Sequence, residues 1–139
     1  MQKQRVSALL VNRENAEILL IKRLKDSRIY WVFPGGGVEF RELLSQAIVR
    51  EIFEETSLEI DNPEEIFSVI NRGRKEHFFL VSVPFFEPKL STQSPEFKAQ
   101  NCSNQYELTW VKLNDLSQLN LVPVEAKVIV ISLVSEGRI

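Results

Sequence analysis

The chain has few of the residues that form disulfide bonds or structural zinc sites. Its 139 residues include one cysteine, Cys102, and one histidine, His77. A single cysteine forms neither an intrachain disulfide nor a cysteine-rich zinc site, which favours the reducing cytoplasm. With 44% hydrophobic and 26% charged residues, the composition is that of an ordinary globular protein. We expect one domain over residues 1–139, because a chain of this length buries about two thirds of its unfolded surface.

Long apolar runs and an excess of positive charge are also absent. The N-terminal segment has the wrong length and flanks for a secretory signal, and residues 128–134 are far fewer than the roughly 20 that span a bilayer. The 17 Lys and Arg against 19 Asp and Glu give a formal net charge of −2. This balance argues against a general nucleic-acid binder or a membrane-surface protein. An anionic ligand therefore needs a local basic cluster or a bound cation.

Apolar patterning predicts strands and two helices in a mixed sheet. The helices are expected from about Arg41 to Thr56 and from Pro123 to Ser135, the second with proline in its first turn and Gly137 after its end. Residues 87–105 are polar and predict a long loop. Strands are predicted over residues 6–11, 18–21, 30–33, 66–70, 77–86 and 107–113. The fold class is α/β (α+β), with helices packed on the faces of the sheet.

The strongest chemical signal is a glycine-rich turn followed by an acidic helix end. Three of the five glycines stand together at residues 35–37, where the backbone can approach a ligand closely. Glu51, Glu54 and Glu55 share one helix face within an arc of about 100°. Their charges repel one another and oppose the helix dipole, so a hard divalent cation such as Mg²⁺, or alternatively Mn²⁺, would stabilise them. A solvated acidic face is the alternative.

The spacing of these residues decides between the two interpretations. The segment from Gly36 to Leu58, GGVEFRELLSQAIVREIFEETSL, resembles the box of the Nudix hydrolase family. That box has glycine, five residues, glutamate, seven residues, and then an Arg-Glu-aliphatic-any-Glu-Glu-any-Gly-aliphatic run. Ser57 replaces the second glycine, and every acidic position is retained. The flanks, including Glu107 and Trp110 late in the chain, also look like the family.

The resemblance implies an α/β/α sandwich with a mixed central sheet and a metal-dependent activity. Members hydrolyse a phosphoanhydride bond in a nucleoside diphosphate linked to another moiety. By position, Glu51, Glu54 and Glu55 are the implied metal ligands, and the Gly36 carbonyl is a further one. Glu51 is also the implied general base, with Glu107 as the alternative. A nucleoside triphosphate, a dinucleoside polyphosphate and a nucleotide sugar all remain open as substrates.

Two further residues of the box have predicted structural roles. Arg50 is expected to pair with Glu54 at i+4 and so to orient the catalytic carboxylates. Glu42, at the helix start, is interpreted as structural. Ser57 occupies the place where glycine easily takes the left-handed conformation that ends a helix. The exit of the helix is therefore the one part of the box left open.

Several residues outside the box are candidates for substrate contact. Arg23, Arg72 and Arg74 could bind phosphate, although solvated turn charge is the alternative for the last two. His77 is a candidate contact or acid, against a structural role in a half-buried strand. The aromatic residues 30, 31 and 33 could stack on a base, against a role in the core.

The predicted partner is a nucleotide-derived small molecule, and a homodimer stays open. The rival hypothesis is a non-catalytic module of the same fold that binds a nucleotide or a protein. Such a module is expected to have lost box carboxylates, and none is lost here.

Overall fold

The computed structural model of the chain describes residues 3–89, 100–101 and 103–139. Within them it has eight strands, two α-helices and a 3-10 helix over Leu113–Gln118. The helices are α1 (Leu44–Thr56) and α2 (Val124–Ser135). The strands are β1 (Gln4–Asn12), β2 (Glu17–Lys25), β3 (Arg28–Val32), β4 (Gly35–Gly37), β5 (Glu64–Asn71), β6 (Arg74–Ser82), β7 (Asn104–Lys112) and β8 (Leu121–Val122).

The strands form one mixed sheet with two wings, one that contains β1, β4, β5 and β6 and one that contains β2, β3, β7 and β8. Its order is β5-β6-β1-β2-β3-β8, with β4 pairing β1 and β7 pairing β2. The β1–β6 and β3–β8 pairs are parallel, and the others are antiparallel. The register of β1 with β2 runs from Leu10 with Leu19 to Asn12 with Glu17, next to the turn. Beyond it, β1 pairs with β4 and β2 pairs with β3, so the two strands separate.

The two helices cover opposite faces of this sheet. Val6, Ala8 and Leu10 of β1 belong to the core cluster that contains the buried face of α1. Leu9 and Val11 belong to the second cluster, which contains the buried face of α2. This alternation is the period of two expected of a strand buried on both sides. The predicted mixed sheet with helices on its faces is confirmed.

Helix α1 begins three residues later than the pattern predicted. Arg41 has φ +62°, and Leu43 is extended at φ −71° and ψ 152°, so neither continues a helix. Gln46 compensates for the missing polar cap, because its side-chain oxygen accepts the Leu43 N–H at 2.9 Å. Helix α2 starts at Val124, one residue later than predicted, because Pro123 is the extended residue before it and not part of its first turn; Gly137 follows its end at φ +71°, as predicted.

The strand boundaries differ where distant partners decide them. Strand β6 ends at Ser82 rather than continuing to residue 86, and Pro84 lacks the N–H that a ladder needs. Strand β7 starts at Asn104, inside the predicted loop, because it pairs with the whole of β2. Residues 90–99 and 102 of that loop lie outside the described residues. No helix in the described ranges is long and apolar enough to cross a membrane.

Candidate active site

Strand β4, the three-glycine segment, is held against β1 by close backbone contacts. Gly35 pairs with Ser7 and Gly36 with Val6. A Cβ built on Gly35 would overlap the Val6 carbonyl oxygen and lie 2.8 Å from the Ser7 Cα, so this approach requires glycine. The Gly35 N–H donates to the Glu55 carboxylate at 2.8 Å, and Glu55 is buried. The segment is therefore fixed to the sheet and to the end of α1 together.

Gly36 leaves the space that the Glu51 carboxylate occupies. A Cβ at Gly36 would overlap the carboxylate carbon and both of its oxygens. At Gly37, in contrast, a Cβ would have no atom within 4 Å. A side chain at this first glycine of the box would therefore displace the Glu51 carboxylate from its position against the backbone.

Arg50 lies at the centre of the acidic groups. Its Nε and Nη2 donate to the two oxygens of Glu42 at 2.7 and 2.9 Å. Its Nη1 donates to Glu51 at 2.8 Å and approaches Glu54 at 3.4 Å. The Nη2 also donates to the Gly37 carbonyl at 3.0 Å. The predicted i+4 contact with Glu54 is present, but the bidentate pair with Glu42 is shorter.

The contact between Arg50 and Glu42 shifts the pKa values of both groups in opposite directions. Hydrogen bonds from Arg50 hold the pKa of Glu42 below its ordinary value, and the Glu39 N–H adds to this effect while burial opposes it. The bond to Glu42 is also the main reason that the pKa of Arg50 is raised, with Glu51 as a further cause. Both partners are therefore charged at neutral pH. These contacts support the structural role predicted for Glu42.

The acidic residues match a divalent metal ion in their donor chemistry. Glu51, Glu54, Glu55 and the Gly36 carbonyl are oxygen donors of the kind that Mg²⁺ prefers. Among the described residues, no three acidic, cysteine or histidine side chains already converge on a metal-sized space. In this arrangement Glu51 bonds to Arg50, and Glu55 bonds to the Gly35 N–H. The guanidinium thus supplies part of the positive charge that the sequence argument assigned to a metal alone.

Ser57 ends α1 in the conformation that the box glycine would adopt. Its φ is +64° with ψ 12°, and its N–H donates to the Phe53 carbonyl at 2.9 Å. The Thr56 hydroxyl donates to the Ile52 carbonyl at 2.7 Å and accepts the Leu58 N–H at 3.2 Å. The exit of the helix therefore keeps its left-handed turn, with a side chain where glycine is least strained.

A second feature, the basic cleft, lies where the two wings of the sheet separate, beside the first turn of α2. It has a volume of about 610 Å³. Two carboxylates, those of Glu76 and Glu125, also line it. The cations that line it are Arg5, Arg23, Lys25, Arg28, Arg72 and Arg74. In a chain of net charge −2, this concentration of positive charge forms a local site for an anion.

The basic cleft and the Nudix-like box meet at one strand. Arg5 and Ser7 line the cleft, and their register partners in β4 are Gly37 and Gly35. Neighbouring strands lie about 4.8 Å apart. An anionic ligand in the cleft therefore lies about one strand spacing from the glycine segment, against which the Glu51 carboxylate of α1 packs.

Arg23 is the most firmly positioned cation of the cleft. Its guanidinium carbon lies 4.1 Å from the ring centroid of Tyr106 and 5.3 Å from that of Tyr30. Its Nη2 donates to Asn104 at 2.8 Å. Its Nε is buried and has no hydrogen-bond partner among the residues that the structure describes. Stacking between two rings fixes the plane of the guanidinium, so its donors are preorganised.

The structure brings together three of the four predicted substrate residues. Arg23, Arg72 and Arg74 all line the cleft, whereas His77 does not. His77 is 5% exposed, with its Nδ1 2.7 Å from Glu65 and its Nε2 2.7 Å from Gln4. These contacts favour the structural interpretation of the histidine.

Glu107 lies on the side of β7 away from α1, whereas Tyr30 and Phe33 of the aromatic candidates line the basic cleft. Glu107 is exposed on β7, and its neighbour Leu108 packs in the cluster of α1. Because side chains alternate along a strand, Glu107 points away from that face. Its carboxylate contacts the Thr109 hydroxyl at 3.4 Å. Phe33 is buried against Phe78, as a core residue would be.

Sequence reasoning missed half of the cleft cations and its buried acid. The unpredicted members are Arg5, Lys25, Arg28 and Glu76. Arg5 and Ser7 alternate with apolar residues in β1, so a period of two marked them as facing one side. The pattern contained no sign that this side faces a cleft.

Comparison with known proteins identifies the family. The NUDIX domain family model matches residues 1–130. The chain therefore belongs to the Nudix family. The predicted family, fold and enzyme class, a Nudix pyrophosphohydrolase, are confirmed.

Three related proteins illustrate this membership. The uncharacterised Nudix hydrolase YvcI of Bacillus subtilis (strain 168) is 27% identical over 138 residues, which cover 96% of this chain and 82% of the relative. An RNA pyrophosphohydrolase of Wolbachia pipientis subsp. Culex pipiens is 30% identical over 131 residues, covering 80% and 75%. A MutT structure from work on Aliivibrio salmonicida and Vibrio cholerae aligns with a TM-score of 0.74 at 24% identity, covering 95% and 98%. The last likeness concerns the fold.

Proposed function

We propose that the chain is a divalent-metal-dependent hydrolase of a phosphoanhydride bond in a nucleoside diphosphate linked to another moiety. The observation that carries the proposal is the shared strand β1. Arg5 and Ser7 of this strand line the cationic cleft. Their pairing partners in β4 form the glycine segment beside the box carboxylates. A polyanionic nucleotide is the ligand class that needs both features at adjacent places.

The cleft residues have a binding role in this proposal. Arg23, Arg72 and Arg74 hold phosphate oxygens, because guanidinium groups match them with paired N–H donors. Arg5 lies closest in register to the glycine segment. Binding the phosphates across these cations positions the scissile bond next to α1.

The box residues have the chemical role. Glu51 acts as the general base: it takes a proton from the attacking water while the water oxygen bonds to phosphorus and the P–O bond to the leaving phosphate breaks. Arg50 is a positioning residue, because its bonds to Glu42 and Glu51 hold the carboxylate geometry. Glu107 stays the alternative base, although its exposed position on β7 gives it no support.

Glu51, Glu54, Glu55 and the Gly36 carbonyl are the residues that would hold the metal ion. When bound, Mg²⁺ or Mn²⁺ supplies charge neutralisation for the diphosphate and acidity for water. The remaining predictions are a cytoplasmic location, a single domain over residues 1–139 and a small-molecule nucleotide substrate. Because the Wolbachia relative is an RNA pyrophosphohydrolase, an RNA is also among the substrates worth testing.

The proposal is tested by a hydrolysis screen with Mg²⁺ and with Mn²⁺. The substrates are nucleoside triphosphates, a dinucleoside polyphosphate, a nucleotide sugar and a 5′-triphosphorylated oligoribonucleotide. The wild-type chain and Glu54→Gln are compared on each. We expect release of a phosphorylated fragment from at least one class, and a loss of about 100-fold or more in kcat for the variant.

A matched control separates loss of a ligand from loss of a charge. Glu59 lies just beyond the box, is exposed, and makes no contact with Arg50. Glu59→Gln removes the same charge and should keep the wild-type rate. Equal rates for Glu54→Gln and the wild type, on every substrate cleaved, would refute the assigned site. Tight nucleotide binding without any cleavage would favour the non-catalytic module instead.

A further inference from the structure

Of the two carboxylates that line the basic cleft, only that of Glu76 belongs to a buried residue, and the proposed chemistry does not use it. Glu76 is 3% exposed and lines the cleft. One carboxylate oxygen accepts the Asn71 side-chain N–H at 2.9 Å. Within the described part of the chain, no arginine or lysine forms an ion pair with this carboxylate, although cations surround the cleft. Glu76 is thus a buried acid held by a single neutral donor.

The position of Glu76 in β6 directs it into the cleft. Phe78 and Leu80, two and four residues further along, belong to the core cluster of α2. Residues at this spacing share one face of a strand. The register partner of Glu76 in β1 is Arg5, which also lines the cleft. The buried carboxylate therefore lies on the cleft-facing side of β6.

The chemistry of a buried carboxylate limits what can bind next to it. An ionised carboxylate is an acceptor only, and its burial is unfavourable unless N–H or O–H groups donate to it. A phosphate placed beside it would be repelled. The part of the ligand that meets Glu76 must therefore offer donors, while its phosphates lie at the cations.

We propose that Glu76 is a specificity-determining residue that accepts hydrogen bonds from the N1–H and 2-amino groups of a guanine base. This inference rests on the proposed function, because it assumes a nucleotide in the cleft. Guanine presents two adjacent donors on one edge, which match the two oxygens of a carboxylate. Adenine presents an acceptor at N1, so its ring nitrogen would face the negative charge. Apolar lining from Val32, Val122 and Pro123 provides contact for the faces of a planar base.

Metal-free binding measurements separate this inference from the proposed function. Calorimetric titration in EDTA compares GDP, IDP and ADP, which differ in the base alone. We expect the wild-type chain to bind GDP about tenfold more tightly than ADP, with IDP between them because it lacks the 2-amino donor. This comparison needs no variant and no catalysis.

The variant Glu76→Gln sharpens the test. The amide keeps one acceptor and gains donors, so we expect GDP to lose most of its tenfold advantage while ADP binds as well as before or better. Glu14→Gln is the matched control, because this exposed carboxylate lies in the β1–β2 turn, does not line the cleft and should leave the base preference unchanged. Thermal melts verify that each variant is folded.

Two outcomes would overturn the inference. The first is equal affinity of the wild-type chain for GDP and ADP. The second is a Glu76→Gln protein that is folded and weakens GDP and ADP by the same factor, which is the behaviour of a purely structural residue. A guanine preference in a chain that cleaves nothing would count against the proposed hydrolysis and support the binding assignment. Cleavage without any base preference would support the proposed hydrolysis and count against the assignment of Glu76 to guanine recognition.

Discussion

The acidic box and the basic cleft lie on two sides of strand β1, and they are encoded differently. The box residues come from one continuous segment, in which Arg50 contacts partners at sequence separations of 1, 4 and 8 residues. The cleft is lined from β1, β2, β3, β6, β8, the β5–β6 turn and the start of α2. Because the box residues are close together in the sequence, their spacing identifies the catalytic group. The cleft residues come from distant strands, so no spacing in the sequence indicates their ligand. The reaction is therefore readable from the sequence more easily than the substrate.

The largest expected effect concerns the contact between box and glycine segment. Gly36→Ala places a methyl group where the Glu51 carboxylate lies, so either the loop or the carboxylate must move. Because displacements of about 1 Å at a reacting centre cost on the order of 100-fold, we expect kcat/KM to fall by about that factor. Steady-state hydrolysis of the best substrate measures it.

Gly37→Ala is the control for that substitution. It adds the same methyl group at the next residue, where no atom lies within 4 Å. Near-normal activity is expected. If both variants lost activity equally, general disturbance of β4 and not the Glu51 contact would be responsible.

The second prediction addresses the cleft alone. Arg23→Ala removes a guanidinium stacked between Tyr30 and Tyr106, and we expect KM to rise about tenfold with little change in kcat, since the residue binds substrate away from the box. Arg13→Ala, which removes an arginine bonded to Ser82 outside the cleft, should leave KM unchanged. A fall in kcat with constant KM would place Arg23 in the chemical step instead.

The third prediction concerns stability and its pH dependence. The pKa of Glu42 is lowered on folding, chiefly by Arg50, so its ionised form stabilises the fold above its ordinary pKa of 4.5. Glu42→Gln should lower the free energy of unfolding at neutral pH by about 1–3 kcal/mol, the range for hydrogen bonds to charged groups. As the pH falls from 4.5 through the lower pKa of folded Glu42, this carboxyl becomes protonated and the difference should shrink.

Urea unfolding across this pH range checks the effect. Glu39→Gln is the control, because the Glu39 side chain is 68% exposed and lies 3.8 Å from Arg50. That variant should change stability little. A deficit of Glu42→Gln that stayed constant from neutral to acid pH would show that the ion pair is not its cause.

The smallest effect is expected at Ser57, the residue that replaces the second glycine of the box. Ser57 has φ +64°, so Ser57→Gly should relieve left-handed strain and stabilise the protein by up to about 1 kcal/mol. Activity should be unchanged. Ser57→Ala keeps the strained backbone and should bring no gain, so equal melting temperatures for the Gly and Ala variants would contradict the explanation.

The fold was predictable where short-range pattern and packing agree. Helix α1 and its buried face follow from apolar periodicity, the mixed sheet follows from the order of the apolar runs, and α2 lies between the Pro123 and Gly137 signals. The pattern was wrong about the start of α1, where Arg41 turns the chain with a positive φ. It also missed β4, because three glycines have no intrinsic strand preference and pair with β1 through a close backbone approach.

For the site, the sequence by itself determined the order and spacing of the carboxylates and of the arginine among them. Helical geometry fixes the distances between residues one to two turns apart, so that part needs no tertiary information. The tertiary structure alone decided that Arg5 meets Gly37, that Glu76 lies inside a cationic cleft and that His77 faces the other side. Strand alternation gives each of these residues a face, but which strands become neighbours depends on packing summed over the whole chain.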